Sequence, residues 1–168
     1  MQNRIGISSG QMVTGNMGSE ARMNYTMMGD NVNTAARLES SAKQYGIYIQ
    51  IADSTYQAVK EKVVVRDLDN VRVLGKNEPV KVWELISEVG QEPDQYKKIL
   101  PAYHEALDLY KSQEWSKAIE AFKASDELEE MFGGRKTNPS RIYIPRCEHY
   151  LENPPGEDWD GVWTLTSK

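Results

Sequence analysis

Cysteine is almost missing: Cys147 is the only one in 168 residues. An intramolecular disulfide is therefore excluded, and so are the clustered thiols of a zinc finger. Histidine is nearly as scarce, and His104 and His149 are too isolated to suggest a metal pair. No apolar run approaches the roughly 20 residues of a membrane-crossing helix, so no membrane contact is expected of this segment. A signal-peptide pattern is lacking as well, since Met1 leads straight into Gln2, Asn3 and Arg4. The expected location is cytoplasmic. Runs of Lys and Arg are absent and the formal charge is −5, which argues against nucleic acid as a partner.

What is present is unevenly spread. Residues 1–90 hold ten basic and ten acidic side chains, whereas residues 91–168 hold ten and fifteen. Six of the seven Met lie in residues 1–28, and three of the four Trp lie beyond residue 114. Two different units are expected, 1–90 and 91–168.

In the first unit, Arg4-Ile5-Gly6-Ile7 alternates like a strand, Ser8-Ser9-Gly10-Gln11 offers a turn, and extension resumes at Met12–Gly15. The chain thus opens almost directly on a strand, as a native start or a fragment cut inside a domain would. Residues 17–29 are polar and bounded by glycine, and read as a loop. Asp30 reads as an N-cap, followed by a helix to about Gln44 that Gly46 ends. Ala35, Leu38, Ala42 and Tyr45 form its apolar stripe. Residues 47–51 read as a strand, Asp53 or Ser54 as the cap of a short helix to Val59, and 63–74 with 79–87 as a β-hairpin. Residues 88–94 are a polar linker. Helices are then expected over Tyr96–Lys111, Trp115–Glu130 and Pro139–Leu151, with Gly133-Gly134 as a break.

The chemistry-bearing stretch is Gly29-Asp30-Asn31-Val32-Asn33-Thr34-Ala35-Ala36-Arg37-Leu38. Asn33 and Arg37 are four apart, so they share one helix face. That face lies well over 100° from the apolar stripe and points outward, given about 100° per residue. The planar fork of Arg37 suits phosphate oxygens, and Asn33 can orient a sugar or base. A solvated polar face is the alternative reading of the same spacing. No Gly-Lys-Ser/Thr follows the glycines, so this is not a Walker loop.

The longer string, Arg4-Ile-Gly-Ile-Ser-Ser-Gly-Gln-Met-Val-Thr-Gly15, then Tyr25-Thr26-Met-Met-Gly29-Asp30-Asn-Val-Asn33-Thr-Ala-Ala-Arg37-Leu and Val71-Arg-Val-Leu-Gly75-Lys76-Asn-Glu-Pro79, resembles the class III nucleotidyl cyclases. The resemblance covers residues 4 to about 87. It implies an α+β fold, the second half of a ferredoxin-like catalytic domain. The implied activity is conversion of ATP to 3′,5′-cyclic AMP and pyrophosphate, in cyclic-nucleotide signalling. It further implies that Asn33 orients the ribose and Arg37 steadies charge on the α-phosphate. Thr26 falls at the base-reading position, where a bacterial subgroup of adenylyl cyclases has Thr. The family's triphosphate-contacting Lys is replaced by Leu74, and Lys76 stands two residues on as a weaker candidate for that contact. Mg or Mn is implied for the complete enzyme, with its two Asp ligands upstream of this segment, so none is assigned here. The implied partners are ATP and a second cyclase domain, in a homodimer or in the parent chain. The alternative is a non-catalytic dimerisation or interaction module derived from a cyclase.

Beyond residue 90, Tyr110 to Ser125 resembles one tetratricopeptide helix pair, with Ala106, Tyr110, Trp115, Ala118 and Phe122 near its packing positions. Glu130 stands where that repeat usually closes on Pro. One repeat cannot bury both faces, so the tail is expected to pack on the third helix, on the first unit or on a protein partner. The ending with Trp159 and Trp163 resembles the terminus of bacterial membrane-anchored cyclases. Those two residues read as an anchoring clamp or as an exposed docking patch. Cys147 has no His at useful spacing, and the Met cluster reads as core and interface packing.

Overall fold

A computed structural model of the chain describes residues 3–71, 79–129, 135–156 and 158–163. The elements run β1 (Ile5–Ile7), β2 (Val13–Ser19), β3 (Arg22–Met28), α1 (Asp30–Ala42), β4 (Ile49–Ala52), α2 (Asp53–Val59), β5 (Val63–Val71) and β6 (Val80–Glu88). They continue with α3 (Tyr96–Lys111), α4 (Trp115–Glu129) and α5 (Pro139–Glu152). This is the α+β class expected.

A four-stranded sheet has the order β1-β4-β6-β5, with β1 parallel to β4 and the other two pairings antiparallel. Helix α1 packs on β1 and β4. Leu38, Ala42 and Tyr45 are buried with Ile47, Ala52, Leu68 and Val82, so three of the four stripe residues reach the core and Ala35 is half-buried. None of the helices among the described residues is long and apolar enough to cross a membrane.

Three local expectations are corrected. Residues 17–29 are not a loop: β2 and β3 pair in register from Val13 with Met28 to Ser19 with Arg22. Gly15, Asn16, Gly18 and Asn24 have weak strand propensity, but the antiparallel ladder carries the extension. The Met cluster is not core, because Met12, Met23, Met27 and Met28 are 43% to 61% exposed on or beside this ribbon. Asp30 is not the N-cap of α1; it is the first helical residue, and Gly29 occupies the cap.

Helices α3, α4 and α5 pack in succession around Tyr103, Tyr110, Phe122 and Tyr143. Their bounds fall within one residue of the sequence expectation. Pro139 takes the first turn of α5, where its missing N–H is no loss, and Asn138 caps the helix by accepting from the Arg141 amide at 3.1 Å. Trp159 lies 5.1–5.2 Å from the rings of Tyr110, Trp115 and Tyr150. Trp163 lies 5.3 Å from Tyr150. The terminus is therefore a clamp on the tail's own aromatic core.

The tail docks on β5 and β6 through buried polar contacts. Arg66 on β5, fully buried, pairs with Glu84 on β6 at 2.5 Å and with Glu129 on α4 at 2.6 Å. Burial alone would lower the Arg66 pKa, but the two carboxylates more than offset it and hold the guanidinium charged. A bulge in β5 between Asp67 and Asp69 leaves Leu68 outside the ladder. Its freed carbonyl accepts from the Tyr143 hydroxyl at 2.6 Å and the Tyr103 hydroxyl at 3.5 Å.

Candidate active site

The site is built on α1. Gly29, at φ 153°, turns the chain into the helix, and its carbonyl accepts from the amides of Val32 and Asn33 at 3.1 and 3.3 Å. Asn31 ties the preceding turn to the helix start, accepting from the Ser8 hydroxyl at 3.1 Å and donating to the Gln11 carbonyl at 3.2 Å. A side chain at Gly10 would strike the Asn31 amide at 2.0 Å. Gly6 lets β1 press against the helix, since a Cβ there would lie 2.1 Å from the Ala35 carbonyl oxygen.

With the apolar stripe fixed on the sheet, Asn33 and Arg37 are exposed on the opposite face, one turn apart. Arg37 stands at the rim of a groove of about 120 Å³, together with Thr34, Leu38, Ser41, Gln50 and Val82. The groove is mostly apolar, and Gln50 is its buried polar element. The Gln50 Oε1 accepts from the Ser41 hydroxyl at 3.0 Å, while its Nε2 has no hydrogen-bond partner among the described residues. Asn33 shares the Arg37 face but does not line the groove. Thr26 is exposed on β3, opposite Gly15, and does not line it either. Lys76 lies outside the described residues.

Just past the end of α1, the stripe residue Tyr45 is anchored by two residues that the sequence reading missed, Asp69 and Arg146. The Tyr45 hydroxyl donates to Asp69 Oδ2 at 2.6 Å, and Arg146 on α5 reaches the same oxygen at 2.7 Å. Burial, with Asp69 adding to it, raises the Tyr45 phenol above its ordinary range and keeps it protonated. Arg146 carried a signal, because it falls on the Tyr143–Tyr150 face of α5 at helical spacing. Asp69 carried none, because the bulge turns both Leu68 and Asp69 inward against strand alternation.

The remaining reactive groups are sequestered. Burial pushes the Cys147 thiol up to about 12, so it is no nucleophile at neutral pH. Burial lowers the His104 pKa, and its Nε2 has no partner among the described residues. Among the described residues no three His, Cys, Asp or Glu side chains gather to hold a metal ion. The described residues therefore do not fit the divalent metal that the resemblance implies, and no residue of this chain is assigned to it.

The sequence profile of the adenylate and guanylate cyclase catalytic domain matches residues 1–87. An adenylate cyclase of Dictyostelium discoideum, described as terminal-differentiation specific, is 34% identical over 151 residues, 88% of this chain and 7% of its own length. That match runs well past residue 87 into the tail. Adenylate cyclase 1 of Rhizobium meliloti is 33% identical over 88 residues, 52% of this chain and 13% of its own. The chain thus spans a small fraction of the length of these relatives. Among solved structures, the adenylyl cyclase CyaB from P. aeruginosa aligns at 32% identity and a TM-score of 0.45, covering 54% of this chain and 45% of that one. With more than half of its residues inside the profile, the chain belongs to the adenylate and guanylate cyclase catalytic domain family.

Proposed function

We propose that this chain carries the Asn/Arg half of a nucleotide-cyclising site and acts on ATP against a second cyclase domain. In the reaction the ribose 3′-oxygen bonds to the α-phosphorus and loses its proton to solvent. The bond from that phosphorus to the bridging oxygen breaks, and pyrophosphate leaves. Arg37 steadies the charge that builds on the α-phosphate, and Asn33 orients the ribose. The Thr26 hydroxyl accepts from the adenine amino group and donates to a ring nitrogen. Lys76 contacts the triphosphate. The partner domain supplies the metal-binding carboxylates. Residues 1–90 form the catalytic part and 91–168 a helical, tetratricopeptide-like tail open to a protein partner.

The observation that carries this reading is the pairing of Asn33 and Arg37, exposed one turn apart on α1 with Arg37 at the groove rim. A phosphoryl transition state needs positioned donors more than covalent chemistry. The relatives' description as adenylate cyclases supports ATP over GTP.

The test is complementation. Residues 1–168 alone produce no cyclic AMP from Mg- or Mn-ATP. Mixed with a cyclase domain that keeps its metal site but has lost its own Asn and Arg, the chain restores turnover. Arg37→Ala or Asn33→Ala in this chain cuts the restored rate by about 100- to 1000-fold, the usual effect of removing one such donor. Stable association without turnover overturns the proposal in favour of a non-catalytic interaction module. Turnover with GTP alone reassigns the base.

A further inference from the structure

Helix α1 is held near both ends, and each end answers to a different part of the chain. At its start, Asn31 accepts from the Ser8 hydroxyl and donates to the Gln11 carbonyl, which ties that end to the turn after β1. Just past its other end, the Tyr45 hydroxyl donates to Asp69 Oδ2 on β5 at 2.6 Å. The same oxygen stands 2.7 Å from Nη1 of Arg146 on α5. The helix of Asn33 and Arg37 therefore shares one carboxylate with the tail.

That carboxylate is buried and fixed in orientation. Asp69 is 5% exposed and Tyr45 4%. The second oxygen, Oδ1, accepts from the Asn70 amide at 2.8 Å. Of these three partners, the phenol and the amide are neutral, and the guanidinium supplies the balancing charge. Without it Asp69 becomes an uncompensated buried anion, which cannot keep its place against Tyr45.

Arg146 is itself built in. Tyr143 lies three residues before it, on the same face of α5. The guanidinium lies 5.0 Å from the centroid of the Tyr143 ring and 5.4 Å from that of Trp163. The Tyr143 hydroxyl donates to the neighbouring Leu68 carbonyl at 2.6 Å. Helix α5 thus holds two successive positions that the bulge turns inward. The contact of Arg66 with Glu84 and Glu129 docks the tail on β5 and β6, and the Asp69 contact extends that docking to α1. Arg37 lies eight residues before Tyr45, with Leu38 and Ala42 packed in the core between them. Close-packed elements transmit a shift rather than absorb it. A misplacement of about 1 Å, even when caused far from the chemistry, can cost about 100-fold in rate.

We propose that Arg146 is a positioning residue for the cyclisation site, and that the docked tail sets the rate of the chemical step by holding α1 through Asp69 and Tyr45. This role rests on the assignment of Asn33 and Arg37 to cyclisation. Two measurements test it. One is the turnover that residues 1–168 restore to a cyclase domain lacking its own Asn and Arg, read as kcat and as KM for ATP. The other is hydrogen exchange of the α1 amides in the 168-residue chain by itself. Arg146→Met lowers kcat by about tenfold or more and leaves KM within about threefold, because a transition-state donor is displaced while substrate contacts remain. Arg146→Lys, which keeps a cation beside Asp69, recovers part of the loss. Tyr45→Phe leaves the Asp69–Arg146 pair intact and lowers kcat by about threefold or more, so it carries the test if Arg146→Met does not fold. The double variant is no slower than Arg146→Met, as expected of groups that share one contact. Both single variants speed exchange in α1. Ala118→Gly on α4 destabilises the tail through helix propensity, and at a temperature where it stays folded it changes neither kcat nor α1 exchange. The proposal is overturned if Arg146→Met and Tyr45→Phe turn over like the parent, if KM rises while kcat holds, or if Ala118→Gly slows turnover as much as they do. Unchanged α1 exchange in both variants overturns it as well. A parent chain that restores no turnover overturns the assignment of Asn33 and Arg37 and this role with it, whereas an active parent with unaffected variants overturns this role alone.

Discussion

Gly6 sits inside a strand, where glycine ordinarily weakens packing and pairing. Its place in β1 is explained by contact, because the Ala35 carbonyl and the Glu39 amide of α1 lie within 2.4 Å of where a Cβ would stand. Both are backbone atoms, so a methyl group cannot be accommodated by rotating a side chain. Gly6→Ala must lift α1 from β1, and overpacking of this kind costs typically 1–3 kcal/mol. For a chain of this size the melting temperature falls by roughly 2–12 °C. If Asn33 and Arg37 act as proposed, the same variant also lowers restored cyclase turnover at a temperature where it is still folded. Calorimetry and the complementation assay check the two effects separately. Normal stability with normal turnover would show that the close approach sets nothing. The sequence placed Asn33 and Arg37 on the outward face by helical spacing alone. It could not show Gly6 or Asn31 holding that face in position, because each acts through a residue some 20 to 30 places away.

At the scale of elements, α3, α4 and α5 were legible almost to the residue. Each has a clear apolar period and a hard stop, such as Ser112–Glu114 after α3 or the Asn138-Pro139 start of α5. The β2–β3 ribbon was not legible past Asn16. Its strands mix Gly and Asn with Met, and no alternation marks a buried face because neither face is covered. The buried contact between the two units was also hidden. No motif or spacing singles out Arg66 or Glu129, yet they meet in the interior across the whole span from β5 to α4. An ion pair of that kind is costly to break from one side, since the remaining charge stays buried. The terminal clamp is the simplest element to remove. Truncation after Asn153 takes away Trp159 and Trp163, each half-buried on the aromatic core. Losing that contact area costs about 3 kcal/mol, which lowers the melting temperature by roughly 6–12 °C. A thermal melt of the truncated chain checks this, and an unchanged midpoint would mark the two residues as a docking patch.

For the molecule as a whole, composition located the acidic excess in the tail but not how apolar surface is distributed. The tail buries its aromatics in one continuous cluster with the sheet-facing tyrosines. The first unit instead leaves Val13, Tyr25 and Met23 at 66%, 73% and 61% exposure. Strand β1 stands at the end of the sheet with Ile5 at 47% exposure. Such a surface exceeds what isolated surface apolar residues normally present, and it adjoins strand edges that offer unpaired backbone donors and acceptors. The net charge of −5 does little to oppose association through this region, because residues 1–28 carry two basic and one acidic side chain. The isolated 168-residue chain therefore self-associates as its concentration rises. Sedimentation velocity over a concentration series shows the weight-average coefficient increasing. The double variant Tyr25→Lys, Met27→Lys suppresses the increase while leaving the thermal midpoint within about 2 °C, since neither side chain contributes to the core. Association that persists in this variant assigns the contact to β1 or to the tail, and a monodisperse parent chain across the series removes the apolar ribbon as its cause.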